Sequence, residues 1–403
     1  MAATTTSQAG AHPDLPAVEP AVVPDSRRLA VLLAPALVYL VVRQVGLLVL
    51  AWMSSRNGVS VTSELTSWDG KWFLGLATGG YGDVPAGLTD AFGERGPETA
   101  LVFFPGYPGL VAAVARLPGI GVVPAALVVT LAAGVTCAYG LVRLARAVPG
   151  GSYRAGLVLV ALFAASPMAV VLSMAYSEAL FCALAVWALV GVLERRWLLA
   201  GLCCALAGLV RPTAAALLAA VGLAALVAVV NRRDGARPWL GALLAPAGLL
   251  AYLGFVASRT GRADGWLTLQ QDGWDSRLDG GISTVGFAVD VLSDAPSLLE
   301  VVTVAMLAGA LVLFVLCLLT WSRSEAWPLL VYAAVVLAMD LGSNGLMNSK
   351  ARLLLPAFVL LLLPVAVGLA HRRPSTVLGV LAALTVASAW FGAYSLTVWP
   401  YAI

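Results

Sequence analysis

Charge and histidine are what this sequence has least of. Of its 403 residues only 11% are charged, less than half of the roughly 25% usual in soluble domains, while 61% are hydrophobic and the mean hydropathy is +0.92. A soluble globular protein is thereby excluded. There are two histidines, His12 near the N-terminus and His371 in an Arg-rich turn, which argues against histidine-based acid/base or nucleophilic chemistry and against a zinc site. The five cysteines (Cys137, Cys182, Cys203, Cys204 and Cys317) all lie in apolar runs without the spacing of a metal or redox motif, so they read as small core residues. No glycine-rich phosphate loop and no Ser/His pair appears. With 24 basic and 21 acidic residues the net charge is +3, too balanced to suggest a nucleic acid partner. Any catalysis falls to carboxylates, with no cofactor or metal implied.

Apolar runs of 18 to 25 residues recur from Leu29 onward, each long enough to cross a hydrocarbon core of roughly 30 Å as a helix. The sequence therefore predicts an all-α polytopic membrane protein. Residues 1–26, rich in Ala, Pro, Thr and Ser, read as a disordered cytoplasmic tail, and residues 27–403 as one transmembrane domain. They are not a signal peptide, because the apolar stretch that follows is too long for one. Eleven spans are expected, near 29–53, 120–147, 155–174, 178–193, 197–210, 213–231, 239–258, 300–321, 327–343, 352–370 and 375–396, with a split at Arg211-Pro212. Sidedness turns on the segment Ala100–Leu117, broken by Pro105 and Pro108. If it lies on the outer face without crossing, 13 of the 24 basic residues fall in short cytoplasmic turns or the tail, as the positive-inside rule favours. In that register the N-terminus is cytoplasmic in a plasma membrane. Two large outer loops, 54–117 and 259–299, hold most of 14 outward carboxylates, and both lysines also face outward.

Five constellations share that outer side. Ser67-Trp68-Asp69-Gly70-Lys71-Trp72-Phe73 sets a carboxylate between tryptophans, a pattern that suits sugar stacking or an interfacial anchor. Phe103-Phe104-Pro105-Gly106-Tyr107-Pro108 combines aromatics with helix-breaking prolines. Ala175-Tyr176-Ser177-Glu178 places an acid at a helix N-terminus, as a dipole partner or as a functional group at the membrane boundary. Arg211, Lys350 and Arg352 are cations of the kind a lipid phosphate needs, or residues snorkelling to lipid headgroups. Gln270-Gln271-Asp272-Gly273-Trp274 joins amide donors to an aromatic.

Taken in order, Trp-Asp-Gly with Gly-Tyr downstream, Phe-Phe-Pro-Gly-Tyr-Pro, Tyr-Ser-Glu-Ala-Leu-Phe and Leu-Val-Arg-Pro-Thr resemble the bacterial relatives of GPI mannosyltransferase II, the PIG-V-like family. The likeness covers about residues 30–220 and continues loosely through Gln270-Gln271 and Arg352-Leu-Leu-Leu-Pro-Ala-Phe. That family belongs to the GT-C glycosyltransferases, multi-span enzymes that take a sugar from a polyprenyl-phosphate donor on the non-cytoplasmic face. The resemblance implies a GT-C fold, a mannose donor, and Asp69 as the catalytic acidic residue of the first loop. Many GT-C enzymes carry paired acidic residues, whereas Asp69 stands alone in its motif, which makes Glu178 the candidate second carboxylate.

The expected reaction is an inverting transfer in which Asp69 takes the proton of an acceptor hydroxyl as it attacks the anomeric carbon. Arg211, Lys350 and Arg352 would stabilise the departing lipid phosphate, with Trp68, Lys71, Tyr107, Tyr176, Gln270, Gln271 and Trp274 as further substrate-binding candidates. The acceptor is a lipid, glycan or protein of the cell envelope. Two other classes fit the same features: a lipid-linked sugar flippase, and a non-catalytic partner of a glycosyltransferase. Against the flippase, the sequence has no duplicated half with matching broken segments.

Overall fold

The structure is a computed structural model that describes residues 25–295 and 297–403. The expected tail, but for its last two residues, lies outside them. Those two already belong to the first helix, Asp25–Asn57, which begins before the basic pair. Apart from an isolated antiparallel bridge between Leu278 and Ser343, regular structure among the described residues is helical. The protein is a multi-pass membrane protein.

Every expected span is helical, but not as one uninterrupted helix each. Among the described residues five helices are long and apolar enough to cross on their own: Arg28–Asn57, Val122–Ala147, Arg237–Thr260, Leu298–Trp321 and Pro374–Thr397. Met347–Leu353 with Leu355–Ala370 makes a sixth if that pair, bent by 40°, is one span. The others are shorter, such as Glu178–Leu193 and Trp327–Leu341. Proline explains most of the breaks, because it withholds an amide and restricts the residue before it. The expected 155–174 span ends as a regular helix at Ala164, ahead of Ser166-Pro167, and resumes as a 3-10 turn at Ala169–Ser173. Pro246 divides 237–260 in the same way, and Pro356 and Pro364 sit at the breaks in 350–370.

Small residues allow the short helices to pack backbone to backbone. Trp197–Gly208 crosses the 237–260 segment through Gly201 and Gly208 on one side and Gly241 and Gly248 on the other. A Cβ on Gly248 would stand 1.8 Å from the carbonyl oxygen of Ala205, and one on Gly201 would stand 2.6 Å from that of Gly241. Two glycines seven residues apart on each partner form a close seam of the kind that drives helix association in lipid, where no hydrophobic force separates helix from solvent. Leucines such as Leu29, Leu32 and Leu37 face outward from the bundle.

The molecule has two chemically distinct ends. At one, Arg143 pairs with Glu194, Arg195 and Arg233 approach Glu325, and Arg154 donates to the carbonyl of Arg372. At the other, the two large loops meet. They are helical rather than irregular, containing Asp69–Gly79 and Gly106–Ala115 in the first and Gly265–Trp274 and Ile282–Asp294 in the second. Ala91 N–H donates to the Gly273 carbonyl at 3.0 Å, and the Trp266 indole to the Val102 carbonyl at 3.3 Å. The 16-residue helix Glu178–Leu193 runs between the ends, a separation of about 24 Å. The segment 106–115 is a 10-residue helix, about 15 Å long and too short to cross.

In the second loop, Asp279 receives the amides of Gly281 and Ser283 at 2.8 and 2.9 Å, ahead of Ile282–Asp294. Hydrogen bonding from Ser283 holds its carboxyl below the usual carboxylate range.

Candidate active site

Two acids open two helices at the loop-bearing end. Asp69 is the first residue of Asp69–Gly79 and Glu178 the first of Glu178–Leu193, positions where the helix dipole favours a negative charge. The turn into the first is strained. Trp68 adopts φ 51°, ψ −120°, a conformation that costs a residue with a side chain on the order of 1–3 kcal/mol. The amide of Ala175 donates to the carbonyl of Leu65 at 2.8 Å, which ties the approach to Asp69 to the approach to Glu178.

Arginines alternate with these acids. Arg352, from the short helix Lys350–Leu353, donates through Nη1 to Asp69 Oδ2 at 2.6 Å, and its Nε lies 3.6 Å from Glu178 Oε1. Its guanidinium also stacks on the Tyr176 ring, 5.2 Å from the centroid. Arg211 reaches Glu178 Oε1 with Nη1 at 2.8 Å and donates to the Ser177 hydroxyl at 3.0 Å. The chain Asp69–Arg352–Glu178–Arg211 is electrically neutral. Glu178 is wholly buried, whereas the Asp69 side chain is 30% exposed, so Asp69 is the acid that a ligand can reach.

Arg211 owes its place to a helix break. Trp197–Gly208 and Ala214–Val230 are interrupted where Pro212 withholds an amide. The amide of Gly106 donates to the freed carbonyl of Leu209 at 2.7 Å, and a Cβ there would stand 2.7 Å from the same oxygen. The Phe-Phe-Pro-Gly-Tyr-Pro motif thus docks on the arginine's own turn, which only glycine permits. Tyr107 beside it is fully buried, its hydroxyl held by Thr130 Oγ1 at 2.9 Å and the Ala126 carbonyl at 3.1 Å.

Asp69, Arg211, Gln270, Trp274, Lys350 and Arg352 line one open cavity of about 380 Å³. Phe103 and Trp274 meet edge to face at 5.8 Å in its wall. Lys350 is 1% exposed, and its ammonium donates to the carbonyls of Asp340 and Ser343, where a cation neutralises the C-terminus of Trp327–Leu341. Of the remaining residues singled out in the sequence, Tyr176 lies beneath Arg352, while Tyr107, Trp68, Lys71 and Gln271 do not line the cavity. Trp68, Lys71 and Gln271 are instead exposed at the surface.

Three residues of note escaped the sequence reading. Asp340 and Arg277 line the cavity. Arg43 is buried within the first helix and donates to Ser173 Oγ and the Ala164 carbonyl, both at 3.0 Å, satisfying the break ahead of Pro167. Asp340 and Arg43 carried a signal, since an ionisable residue inside an apolar run is unusual. Arg277 carried none.

No family model matches the sequence, and neither does any curated protein. Among solved structures, the crystal structure of ArnT from Cupriavidus metallidurans bound to undecaprenyl phosphate is similar at a TM-score of 0.52 and 14% sequence identity. The likeness covers 85% of this chain but 61% of ArnT, so the chain spans less than two thirds of that protein's length. The shared helical architecture identifies the fold of this membrane protein as GT-C type.

Proposed function

We propose that the protein is an inverting glycosyltransferase that moves mannose from polyprenyl-phosphate-mannose to a cell-envelope lipid, glycan or protein acceptor. The observation that carries this reading is a partly exposed carboxylate, Asp69, that is paired with Arg352 and shares one cavity with Arg352 and Arg211. Such a transfer needs a base at the acceptor hydroxyl and positive charge at the departing phosphate. The undecaprenyl phosphate bound to ArnT supports a polyprenyl-phosphate ligand. Mannose and a place among PIG-V-like enzymes rest on the sequence motifs.

In this reading Asp69 is the general base. Arg352 holds its carboxylate. An arriving phosphate competes for the same guanidinium, so donor binding frees Asp69 to take a proton. Arg211 supplies the second charged contact. Glu178, sealed between the two arginines, is a positioning residue that keeps both guanidiniums at the cavity wall. The loop-bearing end faces outward, a reading supported by the basic turns gathered at the opposite end.

The test is mass spectrometry of the cell-envelope glycolipids and glycoproteins of a deletion strain, complemented by wild type or by Asp69→Asn. One hexose should be missing from a defined species, restored by the wild type and not by the variant. An unchanged envelope would contradict the proposal.

A further inference from the structure

Among the described residues, none donates a hydrogen bond to the carboxylate of Asp340. It is 5% exposed in the cavity wall, and neither Oδ1 nor Oδ2 accepts a hydrogen bond. The adjacent ammonium of Lys350 is turned to the main-chain carbonyls of Asp340 and Ser343 instead. The hydroxyl of Ser349, in the same wall, is also buried without a hydrogen-bond partner among the described residues. A buried, unpartnered carboxylate is costly to fold around. Such costs are typical of groups whose partner arrives with a ligand.

The missing partner must be a donor. An ionised phosphate offers acceptors only and would be repelled by Asp340, while Arg211 and Arg352 already provide for it on the same cavity. A polyprenyl chain offers neither donors nor acceptors. A hydroxylated ring offers several donors with a spacing that two carboxylate oxygens can match, and Trp274 gives it an aromatic surface to pack on.

We propose that Asp340, assisted by the Ser349 hydroxyl, binds hydroxyl groups of the sugar being transferred and so determines which sugar is accepted. The inference rests on the glycosyltransferase reading above and adds to it a sugar-binding residue that the motifs do not contain.

The experiment measures binding of two lipids, polyprenyl phosphate and polyprenyl-phosphomannose, to the full chain in lipid nanodiscs. Wild type should favour the glycosylated lipid. Asp340→Ala should weaken binding of polyprenyl-phosphomannose by about tenfold to a hundredfold, as loss of hydrogen bonds to a charged group does, and Asp340→Asn by about tenfold. Binding of the sugar-free lipid should change by less than about twofold. The ligand-free thermal midpoint of Asp340→Asn should hold, because a buried amide costs less than a buried carboxylate and the ammonium of Lys350 keeps its two carbonyl acceptors. Equal losses for both lipids with a lowered midpoint would mean a structural role and overturn the proposal. A wild-type preference for the glycosylated lipid that survives Asp340→Ala would overturn the sugar site alone. A wild type that binds neither lipid would overturn the glycosyltransferase reading and this site with it.

Discussion

A buried carboxylate held between two guanidiniums is stable only while both remain. Glu178 has no exposure and touches Arg211 and Arg352, and breaking such a buried pair typically costs about 3–5 kcal/mol because an uncompensated charge is left behind. Arg211→Ala should therefore act twice. It should lower stability through Glu178, and it should raise the dissociation constant for polyprenyl phosphate by about one to two orders of magnitude, since charged hydrogen bonds are worth roughly 1.5–3 kcal/mol each. Equilibrium binding to the purified variant checks the second effect, and unchanged affinity would leave Arg211 a purely structural residue. Asp69 was legible in the sequence from the tryptophans that flank it, and Arg211 and Arg352 because charge is conspicuous beside apolar runs. Their pairing was not, since Asp69 and Arg352 lie 283 residues apart. Motif membership also failed to tell which side chains face the cavity: Trp68 and Lys71 flank Asp69 yet do not line it.

At the scale of helices, the fold follows from where prolines stop the chain and where glycines let it approach. The break at Arg211-Pro212 was legible because one continuous helix would have carried Arg232, Arg233 and Arg237 to the outer side, against the positive-inside rule. The breaks at Pro167 and Pro246 were hidden by the apolar residues around them, since hydropathy measures length in a membrane without registering a missing amide. The glycine seam was equally hidden, because spacing of seven on one helix means nothing until its partner is known. Gly248→Ala should overpack that seam against the Ala205 carbonyl and destabilise the protein by about 1–3 kcal/mol or more. Gly222→Ala, within Ala214–Val230 with nothing among the described residues inside 4 Å of the added methyl, should be neutral or stabilising by up to about 1 kcal/mol. Thermal midpoints of the two variants in the same lipid check the contrast, and equal midpoints would remove the seam as a source of stability.

For the molecule as a whole, charge is divided by function. One end gathers arginines with their own acids in short turns, and the other carries the loops, the aromatics and the network around Asp69. The all-helical membrane architecture was evident from composition and run length, and its GT-C type agrees with the likeness to ArnT. The proposed function depends most directly on the chemistry of Asp69. Reconstituted liposomes supplied with polyprenyl-phosphomannose and an envelope acceptor should show sugar transfer by the wild type. Asp69→Asn, nearly the same size but unable to serve as a base, should fold, bind the donor and lose transfer by about 10² to 10⁴. Transfer by Asp69→Asn at near the wild-type rate would contradict the mechanism, and lipid translocation without transfer by the wild type would contradict the function.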